Sequence, residues 1–316
     1  MATVWLWSDG SRPNDAQCHS RRDFDDSRGA SCRGSLVCRG AALLLDIAQA
    51  GDADMSHVTG ALRQARVQLE PWILTLIAWI LFAAVPWLEG GYGLSWDALN
   101  HHIYLGWTAE AQRFDKDFLG AAYQSFQFPY LYWPVYKLAT SGWPGETVGI
   151  VLGGLHALVV PALWKIANAC IPGRAVHDTM MRTIAVVMAL MSGVVLSLLD
   201  SSANDLMAAI PFVWALAYSL DKRLQLAGFL GGISIAFKLS NGPLACVLPV
   251  LWLMNSERPH WSRLRDMVVG CLWIVMGFAV VYGYWGLVLW RYFGNPVYPF
   301  YDEVFAPLRS LTGWSR

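Results

Sequence analysis

Charged side chains are scarce in this sequence. Only 15% of its 316 residues are Asp, Glu, Lys or Arg, whereas an average soluble domain carries about 25%. The formal net charge is zero, so the chain lacks the basic surplus that would point to nucleic acid as a partner. Hydrophobic residues make up 55% and tryptophan alone numbers 17. Because Trp favours the membrane–water interface, this composition indicates an integral membrane protein.

Metal-binding cysteine patterns are also missing. The chain has six cysteines, and none of them forms a CxxC pair. Cys32 and Cys38 lie in a polar stretch without His or Cys partners at zinc spacing, so we predict no metal site there.

Residues 1–54 lack the basic start and the apolar core of a signal peptide. Their apolar residues are too few and too scattered to build a domain. Met55 follows, and Arg63 and Arg66 lead from it into a strongly hydrophobic segment. We expect residues 1–54 to be either an extension upstream of a true start at Met55 or a disordered cytoplasmic tail. Residues 55–316 are expected to form the membrane domain.

The rest of the chain is rich in apolar runs. A bilayer core of about 30 Å needs roughly 20 apolar residues in a helix. Segments that meet or approach this length are residues 72–88, 148–170, 183–199, 206–220, 224–239, 243–254 and 267–289. The predicted fold class is therefore all-α, a polytopic bundle of about seven transmembrane helices.

Basic residues fall in alternate connections between these segments. They are Arg63, Arg66, Lys165, Arg174, Arg182, Lys222, Arg223, Arg258, Arg263 and Arg265. The positive-inside rule places all of them, and the N-terminus, in the cytoplasm. The outer side then receives residues 89–147, the connection at 201–205, the connection at Asn241 and the segment after Arg291.

The connection between the first two segments is nearly sixty residues long. A connection of this length in a compact membrane protein is usually functional. Leu99, Ile103, Trp107 and Ala111 recur at helical spacing, which predicts an amphipathic helix on the membrane surface. Asp97 and His101 are four residues apart and would share one face of that helix.

Asp97 follows the first segment, close to the outer membrane surface. A carboxylate partly shielded from water there is suited to act as a general base. The alternative is that Asp97 only caps the N-terminus of the surface helix. His101 and His102 are either site residues or hydrogen-bonded interfacial histidines, and two adjacent histidines of a regular helix cannot both face one metal.

Three further polar residues are predicted on the same side. Asp205 opens the fourth segment, where it or Asn204 could instead serve as a helix cap. Lys238 ends the apolar run of the fifth segment, and an ammonium there either binds an anion, pairs, or snorkels to the interface. Arg291 begins an aromatic turn with two prolines, in which rings could stack on sugars and the guanidinium could pair with phosphate.

Together these pieces resemble the GT-C superfamily, the polytopic glycosyltransferases that use polyprenyl-phosphate sugars. Residues 96–102 (WDALNHH) look like the first outer-loop motif, and residues 204–206 (NDL) look like the second acidic motif. Residues 228–242 resemble the glycine-rich span that ends in a basic residue, and residues 294–299 (GNPVYP) resemble an outer-loop segment of bacterial members. The resemblance covers about residues 60–305, nearest to mannosyltransferases and aminoarabinose transferases.

The resemblance implies roles for these residues. Asp97 would be the catalytic base, Asp205 would bind the acceptor or a metal, and Lys238 would contact the lipid phosphate. His101, His102 and Arg291 are assigned to substrate binding. The donor would be a polyprenyl-phosphate-linked sugar, with membrane lipid as the other partner, and a divalent metal requirement stays open. The location would be the cytoplasmic membrane of a bacterium.

Two departures leave alternatives open. His101 stands where the family often has Tyr, and the chain ends at Arg316 where members usually continue with further spans. The chain is therefore expected to be a C-terminally truncated copy, which could be an inactive remnant. The rival from another class is a transporter or flippase, which predicts internal repeats and midplane charges. The sequence has no such repeat, and its acidic residues gather at one face.

Overall fold

The computed structural model describes residues 55–91, 96–118, 120–199, 201–254 and 259–314. The predicted extension or tail at residues 1–54 lies outside the described residues, as does Arg258. Residues Thr59–Arg316 belong to one compact unit. Throughout the described ranges the regular structure is helical, which confirms the all-α prediction.

The α-helices follow one another with short connections, except within residues 89–147. In chain order they are α1 (Met55–Leu88), α2 (Ile103–Thr108), α3 (Trp133–Ala139), α4 (Gly145–Ala157), α5 (Val160–Cys170), α6 (Val176–Leu190), α7 (Gly193–Leu196), α8 (Asp205–Leu220), α9 (Leu224–Phe237), α10 (Gly242–Ala245), α11 (Val247–Met254), α12 (His260–Phe293) and α13 (Asp302–Thr312). A π-helical turn, Ala98–His102, runs directly into α2.

Three helical stretches are long and apolar enough to cross a membrane: Val67–Leu88, Gly145–Cys170 and His260–Phe293. They contain the predicted segments 72–88, 148–170 and 267–289. Three shorter apolar stretches, Asp205–Leu220, Leu224–Phe237 and Leu239–Met254, coincide with the fourth to sixth predictions. The capacity to cross a membrane is thus confirmed for three helices, and the count of seven is not.

The predicted third segment, residues 183–199, is not one continuous helix. α6 begins earlier and ends at Leu190, and only the four-residue α7 follows. Ser192 explains the interruption, because its hydroxyl accepts a hydrogen bond from the Val195 amide at 3.2 Å and so starts a new turn.

Glycines allow α9 and α12 to pack with their backbones in close contact. A side chain at Gly232 would collide with the backbone of Ile274 and Phe278, and one at Gly277 would collide with the backbone of Phe229. Small residues at helix contacts are typical of membrane bundles, where close packing replaces the hydrophobic driving force. α9 also packs against α8, so it lies between α8 and α12.

A buried ion pair joins α1 to α6. Arg182 is fully buried, and its guanidinium donates to both carboxylate oxygens of Glu70 at 2.9 Å. Glu70 also accepts from Trp164 and Thr179, while the remaining Arg182 nitrogen donates to the carbonyls of Ile171 and Gly173. Such a pair is stable in a low-dielectric interior because every polar group has a partner. Arg182 therefore lies within α6 and not in a connection between helices, where the charge pattern placed it.

A second ion pair marks the end of α8. Lys165 on α5 lies 2.6 Å from Asp221, which follows the last residue of α8, and both side chains are partly exposed. α8 has 16 residues and so spans about 24 Å. Lys165 thus lies near Lys222 and Arg223, as the alternating basic connections predicted, and Asp205 lies at the opposite end of the helix.

We predict that Arg182→Met lowers the free energy of unfolding by about 3–5 kcal/mol, because it leaves the Glu70 carboxylate buried without its cation. Lys165→Met is the matched control, since it breaks a partly exposed pair and should cost less than about 1 kcal/mol. Unfolding of the purified chain in detergent measures both effects. Equal losses in the two variants would contradict a stabilising role that depends on burial.

Candidate functional site

The long connection at residues 89–147 is fixed to α12 by an aromatic cluster. The Trp285 indole donates to the Phe126 carbonyl at 3.1 Å, which ties the loop to α12. Phe293 and Tyr298 stack with their ring centroids 4.4 Å apart. The aromatic turn after α12, in which rings were expected to stack on sugars, thus uses these two rings for packing. The cluster holds the loop in one position above the bundle.

The turn that carries Asp97 has two different faces. Ala98, His101 and His102 are buried, whereas Leu99 is 67% exposed. Trp107 is exposed on the same stripe, and Ala111 lies beyond the end of α2. The predicted amphipathic helix therefore forms over part of its length, with its apolar stripe outward and its histidines inward. π-helical turns such as this one occur frequently at functional sites.

Asp97 does not act as a helix cap. Its backbone already has helical dihedral angles (φ −65°, ψ −37°), and its side chain makes no capping hydrogen bond. The side chain is 59% exposed, and its Oδ1 lies 3.8 Å from Nδ1 of His101. The capping alternative is therefore wrong, and the carboxylate is accessible from the protein surface.

The adjacent histidines have different surroundings. Nδ1 of His102 lies 2.6 Å from the Ser202 hydroxyl, and the His102 ring stacks on Tyr132 with centroids 5.0 Å apart. Burial lowers the pKa of His102 to about 4, with the neighbouring His101 as a second cause. His101 is also buried, but its Nδ1 has no hydrogen-bond partner. The expectation of hydrogen-bonded histidines is confirmed for His102 and is wrong for Nδ1 of His101.

Asp205 and Lys238 form an ion pair at the same end of the bundle. Asp205 is the first residue of α8, and Lys238 directly follows α9 in extended conformation. Asn204 makes no capping hydrogen bond with its side chain, and the Asp205 carboxylate faces Lys238. Of the three states predicted for the ammonium, pairing is the one observed.

A small polar network holds this pair in place. The Asn241 amide donates to the Ser234 hydroxyl at 3.0 Å and to the Ala208 carbonyl at 3.3 Å. Ser234 itself donates to the Ala208 carbonyl at 2.7 Å, which joins α9 to α8. The chain around Lys238 is therefore fixed relative to the start of α8, although α9 has ended.

Tyr132 connects the two halves of the site. Its hydroxyl donates to Gln127 at 3.0 Å and also bonds to the buried Asn204, next to Asp205. Burial is the main cause that raises the pKa of Tyr132, and the charges of Asp205 and Asp97 add to it. Tyr132 thus lies between the His102 ring and the acidic end of α8 as a neutral phenol.

Five of the six predicted site residues come together: Asp97, His101, His102, Asp205 and Lys238. Arg291 does not join them, since it is exposed near the end of α12 and none of the described contacts links it to the group. Sequence reasoning missed Ser202 and Tyr132. Ser202 adjoins the predicted acidic motif, so its position was a usable signal, whereas Tyr132 is one of many loop aromatics.

The resulting site combines two carboxylates, one ammonium and two imidazoles at the mouth of the helix bundle. Asp97 can accept a proton from a bound molecule, and Lys238 is partly exposed and can meet an anion. No three His, Cys, Asp or Glu side chains within the described ranges are arranged to hold a metal ion. No protein-family model, curated protein or solved structure matches the chain.

The buried His102 should make stability depend on pH. Its folded pKa lies below the ordinary value of 6.5, so protonation favours the unfolded chain and stability is lost as the pH falls from about 6.5 to about 4. We expect His102→Asn to flatten this part of the melting-temperature profile, because an amide can bond to Ser202 without taking up a proton. His177→Asn, at an exposed position on α6, should leave the profile unchanged. A wild-type profile in the His102 variant would contradict the assignment.

Proposed function

We propose that this chain is a polytopic membrane glycosyltransferase that moves a sugar from a polyprenyl-phosphate donor to an acceptor at the extracytoplasmic face. The observation that carries the proposal is the convergence of Asp97, Asp205 and Lys238 at one end of the bundle. These residues come from three separate parts of the chain, and they are the ones to which the resemblance assigns the base, the acceptor contact and the phosphate contact.

The distribution of charge supports a membrane location for the helices. α8 carries no charged residue after Asp205 until Asp221 follows it, and each of these two carboxylates has a lysine partner. We propose that α8, α9 and the run Leu239–Met254 lie in the bilayer beside the three longer helices, although each is short. Short, interrupted helices often line a site at membrane depth.

Asp97 is the proposed general base. An acceptor hydroxyl would lose its proton to the Asp97 carboxylate while its oxygen bonds to the anomeric carbon of the sugar. The bond from that carbon to the phosphate oxygen breaks in the same step, and the polyprenyl phosphate leaves as an anion. The exposure of Asp97 supports this role, because an acceptor must reach the carboxylate from outside the membrane.

Lys238 is the proposed contact for the leaving phosphate. It lies at the end of an apolar helix, where the head group of a membrane lipid would arrive, and its ammonium is partly exposed. A cation near the leaving oxygen stabilises the negative charge that develops there. Asp205, which pairs with Lys238 in the absence of substrate, would then be free to bind an acceptor hydroxyl.

We predict that Asp97→Asn lowers sugar transfer by about 10²–10⁴-fold, the usual contribution of a general base. The assay follows transfer from a radiolabelled pool of polyprenyl-phosphate sugars in membranes that contain the full chain. Asp115→Asn is the matched control, because it removes an exposed carboxylate of the same loop and should leave transfer unchanged.

Equal transfer by wild type and Asp97→Asn would remove Asp97 from the mechanism. Absence of transfer in both, with normal expression, would reject the glycosyltransferase and favour a transporter or an inactive remnant.

The proposed orientation can be tested by cysteine labelling. In a chain whose native cysteines are replaced by serine, Asp115→Cys should react with a membrane-impermeant maleimide in intact cells. Arg223→Cys should react only after the membrane is opened, because the proposal places the α8–α9 connection in the cytoplasm. The reverse pattern would place the site at the cytoplasmic face and overturn the proposal.

A further inference from the structure

The two adjacent histidines of the outer-loop turn have different partners, and the difference concerns Asp97. His102 is bonded to Ser202 and stacked on Tyr132, so its position is fully accounted for by the surrounding structure. His101 is just as deeply buried, yet its Nδ1 has no hydrogen-bond partner. The nearest charged oxygen to that nitrogen is Oδ1 of Asp97, at 3.8 Å. A buried polar atom without a hydrogen-bond partner lowers the stability of the fold, so its presence calls for an explanation.

We infer that His101 is a positioning residue for Asp97: its Nδ1–H holds the carboxylate in the orientation and ionisation state of a base when an acceptor binds. This inference rests on the proposed function, in which Asp97 takes the proton. It assigns to His101 a contact with the base rather than with the sugar, and so differs from the substrate-binding role that the sequence predicts.

The geometry favours a movement of Asp97 rather than of His101. The His101 ring is held from inside by the edge of the His102 ring, with centroids 4.2 Å apart and planes at 76°. The Asp97 side chain is 59% exposed, so it is the less tightly packed of the two. A rotation that shortens 3.8 Å to a hydrogen-bond distance of about 2.8 Å needs no change in the backbone, because residues four apart already share one face.

The electrostatic surroundings determine the form of the imidazole. Lys238 faces His101 from the end of α9, His102 adjoins it on its own turn, and Asp205 faces the His102 ring from α8. Burial is the main cause that lowers the pKa of His101, Lys238 lowers it further, and Asp97 raises it. His101 is therefore neutral at neutral pH. A neutral imidazole facing a carboxylate presents its N–H, because a bare lone pair would repel the oxygen.

A direct test compares the pH profiles of transfer in His101 variants. His101→Leu removes the N–H, and we expect kcat/KM to fall about 10–100-fold, as when an orienting partner is lost elsewhere. The acid limb of the profile, where transfer falls as the pH is lowered, should also move to higher pH. The reason is that the ionised form of the base loses a hydrogen bond that stabilises it. His101→Asn places an amide N–H near the position of Nδ1 and should recover most of the rate and the wild-type limb.

His177→Leu is the control for the activity test, since it removes an exposed imidazole on α6 that lies outside the site. Its acid limb should stay in place. If His101→Leu keeps the wild-type limb, or if His101→Asn is no better than His101→Leu, the positioning role is wrong even where transfer itself is confirmed.

A second measurement needs no transfer activity and therefore separates the two proposals. The full chain, labelled with ¹⁵N-histidine and placed in lipid nanodiscs, is titrated by NMR as wild type and as Asp97→Asn. We expect the titration of His101 to move down by about half a pH unit or more in the variant, and that of His102 to move less. A His101 titration that is unchanged would overturn the contact, whatever the transfer assay shows. A clear shift in a chain that transfers no sugar would keep the Asp97–His101 contact and reject its use in glycosyl transfer.

Discussion

The distribution of charge along α8 is the constraint on which the site depends. The helix begins at Asp205 and is followed by Asp221, and no charged residue lies between them. In an apolar bundle a carboxylate needs water or a cation, so each end of α8 must reach a partner. Lys238 meets the first and Lys165 meets the second. The two pairs mark the ends of α8, and the packing of α8 against α9 brings Asp205 to the end of the bundle where Lys238 lies.

The grouping of Asp97, Asp205 and Lys238 could be predicted from the sequence because it depends only on the order of apolar and polar segments. Successive helices that cross a membrane place their connections alternately on its two sides. Polar residues at alternate ends must therefore share a side, whatever the details of packing. The helical class followed for a similar reason, since long apolar runs in a membrane satisfy their backbone groups only as helices or closed barrels.

Individual partners could not be predicted in this way. Arg182 stands between two apolar runs and so has the pattern of a connecting residue, but its carboxylate partner, Glu70, lies 112 residues earlier in the chain. The bond between His102 and Ser202 likewise joins distant segments. Such pairs depend on how side chains interlock in three dimensions, which no periodicity records. The broken segment at 183–199 has a local cause, because Ser192 offers the backbone a competing hydrogen bond.

The contrast between Glu70 and Asp97 separates a carboxylate that serves stability from the one that we propose to serve chemistry. Glu70 is buried and paired, and each of its carboxylate oxygens accepts two hydrogen bonds, which leaves no room for a ligand. Asp97 is exposed, and its carboxylate lies 3.8 Å from Nδ1 of the buried His101. A base must be open to its substrate, yet its orientation must be set before the reaction. An exposed carboxylate beside a buried imidazole meets both requirements, and the buried ion pair at Glu70 joins α1 to α6 beneath them.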